Sequence, residues 1–277
     1  MSRPTDLSTI LTPELMKRFH EDGAVVLRGV FSTYWVELVR RGIQRNLEKP
    51  SKYAEWLKTG EKSGVYFNDY CNWKEIPEFR EYVQNSPAAE VAGTLLRSEW
   101  VKFYHEHVLN KEPGTEKPTP WHHDQSYYPI NGDKVCSIWM PVDPVSLNNT
   151  LRLVCGSHRW GWFIPRKFAT ENDYISSSAD DLHEYKSIPV YDIDSGKYRI
   201  LEWAVQPGDC IVFHMRTVHG AAGNSSISYQ RRVLATRWLG DDATLTTRPW
   251  EVSPPIEAVF EEPPCLEQLP TIWSSVK

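Results

Sequence analysis

The hydrophobic pattern divides the chain into a front part with helical spacing and a rear part with strand spacing. Thr12 stands at a helix-cap position, Pro13 at the first helical position and Glu14 in the first turn, with Leu15 and Phe19 four apart. A helix is predicted to start there and to stop at Gly23. Ala24-Val25-Val26-Leu27 then reads as a buried strand ending at Arg28-Gly29. A second helix is predicted from Ser32, because Trp35, Leu38, Val39, Ile43 and Leu47 recur at three- and four-residue intervals. Its apolar stripe must be covered, and a sheet is the expected partner. Tyr53, Trp56, Tyr66, Phe67, Tyr70 and Trp73 then crowd into a segment dotted with Gly, Asn and Asp. That segment reads either as aromatic packing around irregular loops or as one wall of a ligand pocket.

From Val101 the pattern changes to short β-type runs: Val101 to Leu109, Val135 to Val142, Leu151 to Val154, Leu201 to Val205, Cys210 to His214 and Arg232 to Leu239. Turn chemistry separates them at Glu112-Pro113-Gly114, Asn131-Gly132-Asp133, Asn148-Asn149 and Gln206-Pro207-Gly208-Asp209. The simplest architecture is mainly β with N-terminal helices (α+β), built on an antiparallel sandwich or jelly roll. One domain over residues 1–277 is expected, with helical support to about residue 100, the β core to about 240 and a tail beyond. The polar stretch from Arg166 to Tyr198 is a candidate lid or a surface excursion.

Composition agrees with a turn-rich β fold, since 12 Trp, 13 Tyr and 9 Phe accompany 20 Pro. The net charge of −5, with 31 basic against 36 acidic residues, argues against a partner that is a nucleic acid. No stretch reaches the ~18 apolar residues of a membrane span, and Met1 to His20 carries charges where a signal peptide is apolar, so a cytoplasmic protein is expected. Five scattered cysteines show neither zinc spacing nor a disulfide framework and read as reduced thiols. No pattern fixes an oligomeric state.

The strongest chemical signal is Pro120-Trp121-His122-His123-Asp124-Gln125. On an extended backbone His122 and Asp124 leave the same face and converge on one ion, while His123 points away. The apolar run Cys210 to His214 then delivers His219 at its far end. Two histidines and one carboxylate occupy three of six octahedral positions, the ligand set of non-haem Fe(II) oxygenases. A dicarboxylate co-substrate would need a cationic partner, and Arg231 and Arg232 open the next strand, which is expected to run back beside that of His219. A rival metal set is His105, His107 and Glu112, the two-His-plus-Glu spacing of a cupin site, which would imply no 2-oxoglutarate. A metal-free binding protein on the same barrel is a third reading. His20, His158, His183 and His214 read as structural or surface residues. Because free imidazoles titrate near 6.5, metal at His122 and His219 is expected to compete with two protons.

The sequence resembles the phytanoyl-CoA dioxygenase family over roughly Leu15 to Leu239. The resemblance lies in Phe19 to Gly29, Lys111 to Asp124, Trp139 to Gly161 and Pro207 to Trp238. It implies a double-stranded β-helix core and an oxygenase that uses Fe(II), 2-oxoglutarate and O2 to hydroxylate a small molecule, releasing succinate and CO2. The family's iron ligands fall on His122, Asp124 and His219. Its 2-oxoglutarate arginine falls on Arg231, since Trp238 matches the aromatic seven residues later, with Arg232 as the alternative. Trp139 and Lys111 match positions that line the co-substrate pocket in some members. Asn148-Asn149-Thr150-Leu151 and Cys155-Gly156-Ser157-His158 depart from the family's usual turns.

Overall fold

In the computed structural model, which describes residues 6–176 and 184–275, both opening helices form where the sequence places them. His183 and part of the candidate lid lie outside the described residues. Helix α1 (Pro13–Asp22) starts from Thr12, whose side chain accepts from the Leu15 N–H, and stops at Gly23 with φ +83°. A Cβ on Gly23 would sit 2.4 Å from His158 Nδ1, so both backbone and space require glycine. Strand β1 (Ala24–Leu27) follows, then α2 (Thr33–Glu48). The aromatic segment holds β2 (Glu55–Leu57) and β3 (Tyr66–Tyr70), paired antiparallel. Helices α3 (Pro77–Asn85) and α4 (Ala88–Leu96) precede the long β4 (Trp100–Lys111).

The rear part contributes β5 (Thr119–His122), β6 (Ile130–Asn131), β7 (Val135–Pro141), β8 (Leu151–Val154), β9 (Trp162–Phe163), β10 (Tyr185–Lys186) and β11 (Ile200–Leu201). It continues with β12 (Cys210–His214), β13 (His219–Ala221), β14 (Arg231–Leu239), β15 (Thr244–Leu245) and β16 (Thr271–Ser274). An eight-stranded sheet runs β1-β12-β7-β14-β4-β3-β2, with β16 also on β4, and a four-stranded sheet runs β11-β8-β13-β5.

Alternation explains how the sheets pack. Cys136, Ile138 and Met140 of β7 join Val39 and Ile43 of α2, Val83 of α3 and Leu95 of α4 in one apolar cluster. Trp139 of β7, Phe213 of β12 and Val233 of β14 join Leu151, Leu153 and Ala221 of the smaller sheet in another. The large sheet is thus covered by helices on one face and by the small sheet on the other, and every residue of β7 is buried. Each fully buried aliphatic side chain there contributes ~1.5–3 kcal/mol.

Four expectations change. The four N-terminal helices and the helix-covered sheet make the protein mixed α and β rather than mainly β. The tail beyond residue 240 returns as β16 to pair with β4. The run from Cys210 to His219 is two strands, because the chain turns after His214, with Thr217 N–H donating to His214 O, and changes sheet. β14 does not lie beside β13; it pairs with β4 and β7 in the opposite sheet. Among the described residues no helix is long and apolar enough to cross a membrane.

Candidate active site

Strand pairing sets two imidazoles side by side. His122 ends β5 and His219 opens β13, and the two are direct partners in the antiparallel register, with ring centroids 4.2 Å apart. Each ring is oriented by its own main chain. His122 Nδ1 donates to Pro120 O at 2.7 Å and His219 Nδ1 to Thr217 O at 2.9 Å, which leaves both Nε2 atoms free as ligands. The turn at Ser157 supports this placement, since its hydroxyl accepts from the Val218 N–H beside His219. Beyond His122 the strand stops and a 3-10 turn begins at Asp124, which carries the carboxylate back toward the same point. Asp124 Oδ1 lies 3.5 Å from His122 Nε2 and 3.8 Å from His219 Nε2. His123 points away, to Ser126 and the Phe163 ring. The donor atoms of His122, Asp124 and His219 all lie within 4.8 Å of one another, and all three residues are buried. Two imidazole nitrogens and a carboxylate oxygen fit a divalent iron with an open face.

Asp124, only 2 % exposed, is held by neighbours that the sequence motif does not reveal. Ser137 donates to its Oδ2 at 2.6 Å, and Arg237 Nη2 lies 3.4 Å from the same oxygen. Burial alone would raise this carboxyl, but Arg237, followed by the two histidines, holds it well below the usual range. Arg237 Nε also donates to Tyr128 Oη at 3.0 Å. Burial, then the adjacent His122, push His219 down to about 3, so it stays neutral near physiological pH. Co(II) affinity titrated anaerobically from about pH 5.5 to 7.5 is therefore expected to show fewer than two protons displaced per ion, not the two that free imidazoles predict. A limiting slope of two protons would contradict a desolvated site.

From the triad a narrow cavity runs between the sheets to Arg231, lined by Tyr66, Thr119, Trp139, Phe213 and Ala235 among others. Arg231, Val233, Ala235 and Arg237 alternate along β14, so one strand face carries both guanidinium groups into the interior. Arg231 is 5 % exposed and donates to the Asn149 carbonyl, and among the described residues no carboxylate pairs with it. Burial lowers it only to about 10, so it remains a cation. Arg232 faces the other way and is held by Asp143 at 2.6 and 2.9 Å. Trp139 lines the cavity. Lys111 is set behind it: Nζ donates to Ala222 O at 2.9 Å and lies 4.4 Å from the Tyr66 ring, and burial followed by Arg231 pushes its pKa well down.

A wider cavity of about 320 Å³ opens on the other side of His122 and Asp124. Tyr53 and Tyr70 line it, as do Tyr127 and Tyr128 beside the metal motif, so the aromatic segment of the sequence forms strands that also wall a pocket. The Arg166 end of the candidate lid reaches it too, with Phe168 4.9 Å from the His122 ring. His105 and His107 line this cavity, but Glu112 does not join them, since its carboxylate accepts from the Val65 N–H. The cupin set is therefore not assembled. Ser137 and Phe168 left no readable signal, whereas Arg237 was findable by counting alternate residues from Arg231.

The pattern of the phytanoyl-CoA dioxygenase (PhyH) family matches residues 19–233. The chain belongs to this family. With its buried His-Asp-His triad, this family member is a non-haem iron, 2-oxoglutarate-dependent dioxygenase. The multifunctional dioxygenase ausE of Emericella nidulans is 24 % identical over 251 residues, covering 82 % of this chain and 73 % of its own. The ectoine dioxygenase of Stutzerimonas stutzeri is 25 % identical over 228 residues, covering 77 % and 72 %. Among solved structures, the non-haem α-ketoglutarate-dependent carbocyclase SnoK from nogalamycin biosynthesis matches 95 % of this chain and 97 % of its own with a TM-score of 0.73 at 24 % identity. That likeness shows the fold, which resembles the double-stranded β-helix of such oxygenases.

Proposed function

We propose that His122, Asp124 and His219 hold one Fe(II), that Arg231 anchors the distal carboxylate of 2-oxoglutarate, and that the wider cavity receives a small molecule to be hydroxylated. The observation that carries this reading is Arg231, a buried cation without a carboxylate partner among the described residues, at the far end of a cavity that begins at the triad. A charged group so placed is costly unless an anion reaches it, and a planar guanidinium suits a carboxylate end-on. When bound, iron, 2-oxoglutarate and O2 together supply the oxidising equivalents for C–H hydroxylation, with succinate and CO2 as co-products.

The protein's own part is geometric and electrostatic. His122 and His219 present fixed Nε2 atoms, and Asp124 turns Oδ1 toward them while Ser137 holds Oδ2 and Arg237 lies against both oxygens. Phe168 and Tyr127 pack around His122 and line the side where the substrate enters. Trp139 and the Tyr66 ring, itself backed by Lys111, shape the co-substrate end.

The whole of residues 1–277 is taken as one oxygenase domain, because β16 completes the sheet that carries Arg231. The five free cysteines support a reducing, cytoplasmic location. The reading is tested with a metabolite panel scored for succinate formation. At least one compound is expected to stimulate succinate release above the substrate-free rate, only with both Fe(II) and 2-oxoglutarate present. Turnover of a substrate without 2-oxoglutarate would overturn it.

A further inference from the structure

Strand β14 brings a second guanidinium to the narrow cavity. Arg237 lies six residues beyond Arg231 on the same strand face, with Val233 and Ala235 between them on that face. It lines the narrow cavity that runs from the triad to Arg231, and it lines the 320 Å³ chamber as well. His122 and Phe168 are shared in the same way, so Arg237 stands at the junction of the two spaces, beside the triad.

Three contacts set the plane of this guanidinium. Nε donates to Tyr128 Oη at 3.0 Å, Nη1 to the Ala235 carbonyl at 3.0 Å, and Nη2 to Asp124 Oδ1 at 3.5 Å. A guanidinium carries five N–H groups, so one on Nη1 and one on Nη2 have no partner among the described residues. Asp124 Oδ1 is the oxygen turned to both imidazoles, which places Nη2 at the border of the point where the three ligands converge. Burial works against the charge, but Asp124, then Tyr128, outweigh it and hold the pKa above the usual range, so Arg237 is a cation. Pairing with Asp124 does not account for it. Its contacts with that carboxylate, at 3.4 and 3.5 Å, are longer than the ~2.7–2.9 Å of a charge-assisted bond, and Ser137 already holds Oδ2 at 2.6 Å.

We propose that Arg237 is a second anchor for 2-oxoglutarate, and that its unpartnered N–H groups donate to the C1 carboxylate, at the opposite end of the molecule from Arg231. The proposal rests on the reading of the narrow cavity as the co-substrate site. A carboxylate at the triad end of that cavity lies among buried groups such as Phe168 and Ala235, where an oxygen without a donor is costly. A planar fork supplies two N–H groups to it at once, which a lysine in the same place does not. One face of β14 thereby offers a cation to each end of a dianion, and a monocarboxylate of the same length satisfies only one of them.

Two five-carbon keto acids separate the ends. 2-Oxopentanoate keeps the C1 carboxylate and has a methyl group in place of the distal one, whereas 4-oxopentanoate keeps the distal carboxylate and has a methyl group in place of C1. Each, and 2-oxoglutarate itself, is titrated by calorimetry into the full chain saturated with Co(II). Arg237→Met is expected to weaken 2-oxopentanoate and 2-oxoglutarate by some 10- to 150-fold, the scale of a hydrogen bond to a charged group, and to leave 4-oxopentanoate near its wild-type affinity. Arg231→Met should give the reverse pattern for the two shorter acids. Should Arg237→Met not take up Co(II), Arg237→Lys, which keeps a cation beside Asp124 and lacks the fork, must show the same selective loss. Undiminished 2-oxopentanoate binding overturns the proposal. So does an equal loss for both shorter acids, which is what a role through Asp124 alone would produce. Unchanged 4-oxopentanoate and 2-oxoglutarate binding in Arg231→Met would instead count against the co-substrate site at Arg231, separately from the outcome at Arg237.

Discussion

Replacing Arg231 with alanine is expected to raise the apparent constant for 2-oxoglutarate by some 30- to several-thousand-fold. This corresponds to the ~2–5 kcal/mol lost when one partner of a buried, hydrogen-bonded charge pair is removed. The expectation is this large because Arg231 is desolvated before the ligand arrives, and among the described residues only main-chain carbonyls satisfy it. Iron binding should change little, since Arg231 contacts none of the three ligands. Arg231→Met, which keeps apolar volume and removes the charge, should show the same loss in a protein of undiminished stability, because a buried unpaired charge contributes nothing favourable to the fold. Arg232→Ala is the control: its guanidinium is held by Asp143 and faces away from the cavity, so the 2-oxoglutarate constant should stay near that of the wild type. Titration of 2-oxoglutarate into the iron-loaded protein decides between them. The phenotype appearing in Arg232→Ala and not in Arg231→Ala would mean that the co-substrate lies on the other face of β14.

How much of this was legible in the sequence follows from the range of the interactions involved. Thr12, Pro13 and Gly23 mark a helix through local hydrogen bonds and backbone limits, and α1 has those bounds. The β7 and β14 runs were visible through burial alone, yet alternation says which residues share a face and not which sheet a strand joins. Hence Arg231 was read as lying beside the His219 strand, when it reaches the cavity from the opposite sheet. The break after His214 was hidden for a similar reason: Cys210 to His214 and His219 to Ala221 are both buried, and the turn between them is set by tertiary bonds from Thr217 and His214 to Gly23. The spacing of His122 and Asp124 was informative, although the extended backbone expected for both ends at His122 and a 3-10 turn, not a shared strand face, brings the Asp124 carboxylate to the same point. The hold of Ser137 and Arg237 on Asp124 joins three distant segments, and no local pattern encodes it. β16 was missed because Thr271–Ser274 is short and half-exposed, and it is defined by its pairing with β4.

Alanine at His122 or at His219 should abolish iron-supported turnover. Each replacement removes one of three donors, and the loss in metal affinity should exceed the ~10–100-fold typical of groups that merely orient a ligand. His105→Ala and His107→Ala should both retain the metal, because these rings line the chamber without meeting a carboxylate that could complete a site. The direct measurement is an anaerobic titration of Fe(II), and then 2-oxoglutarate, into the metal-free protein, followed by the visible charge-transfer absorption of the iron–2-oxoglutarate chelate. One iron per chain and a saturable band are expected for the wild type, His105→Ala and His107→Ala, with no band in His122→Ala or His219→Ala. A band that survives in both His122→Ala and His219→Ala, or one lost only in His105→Ala and His107→Ala, would contradict the assignment of the iron site.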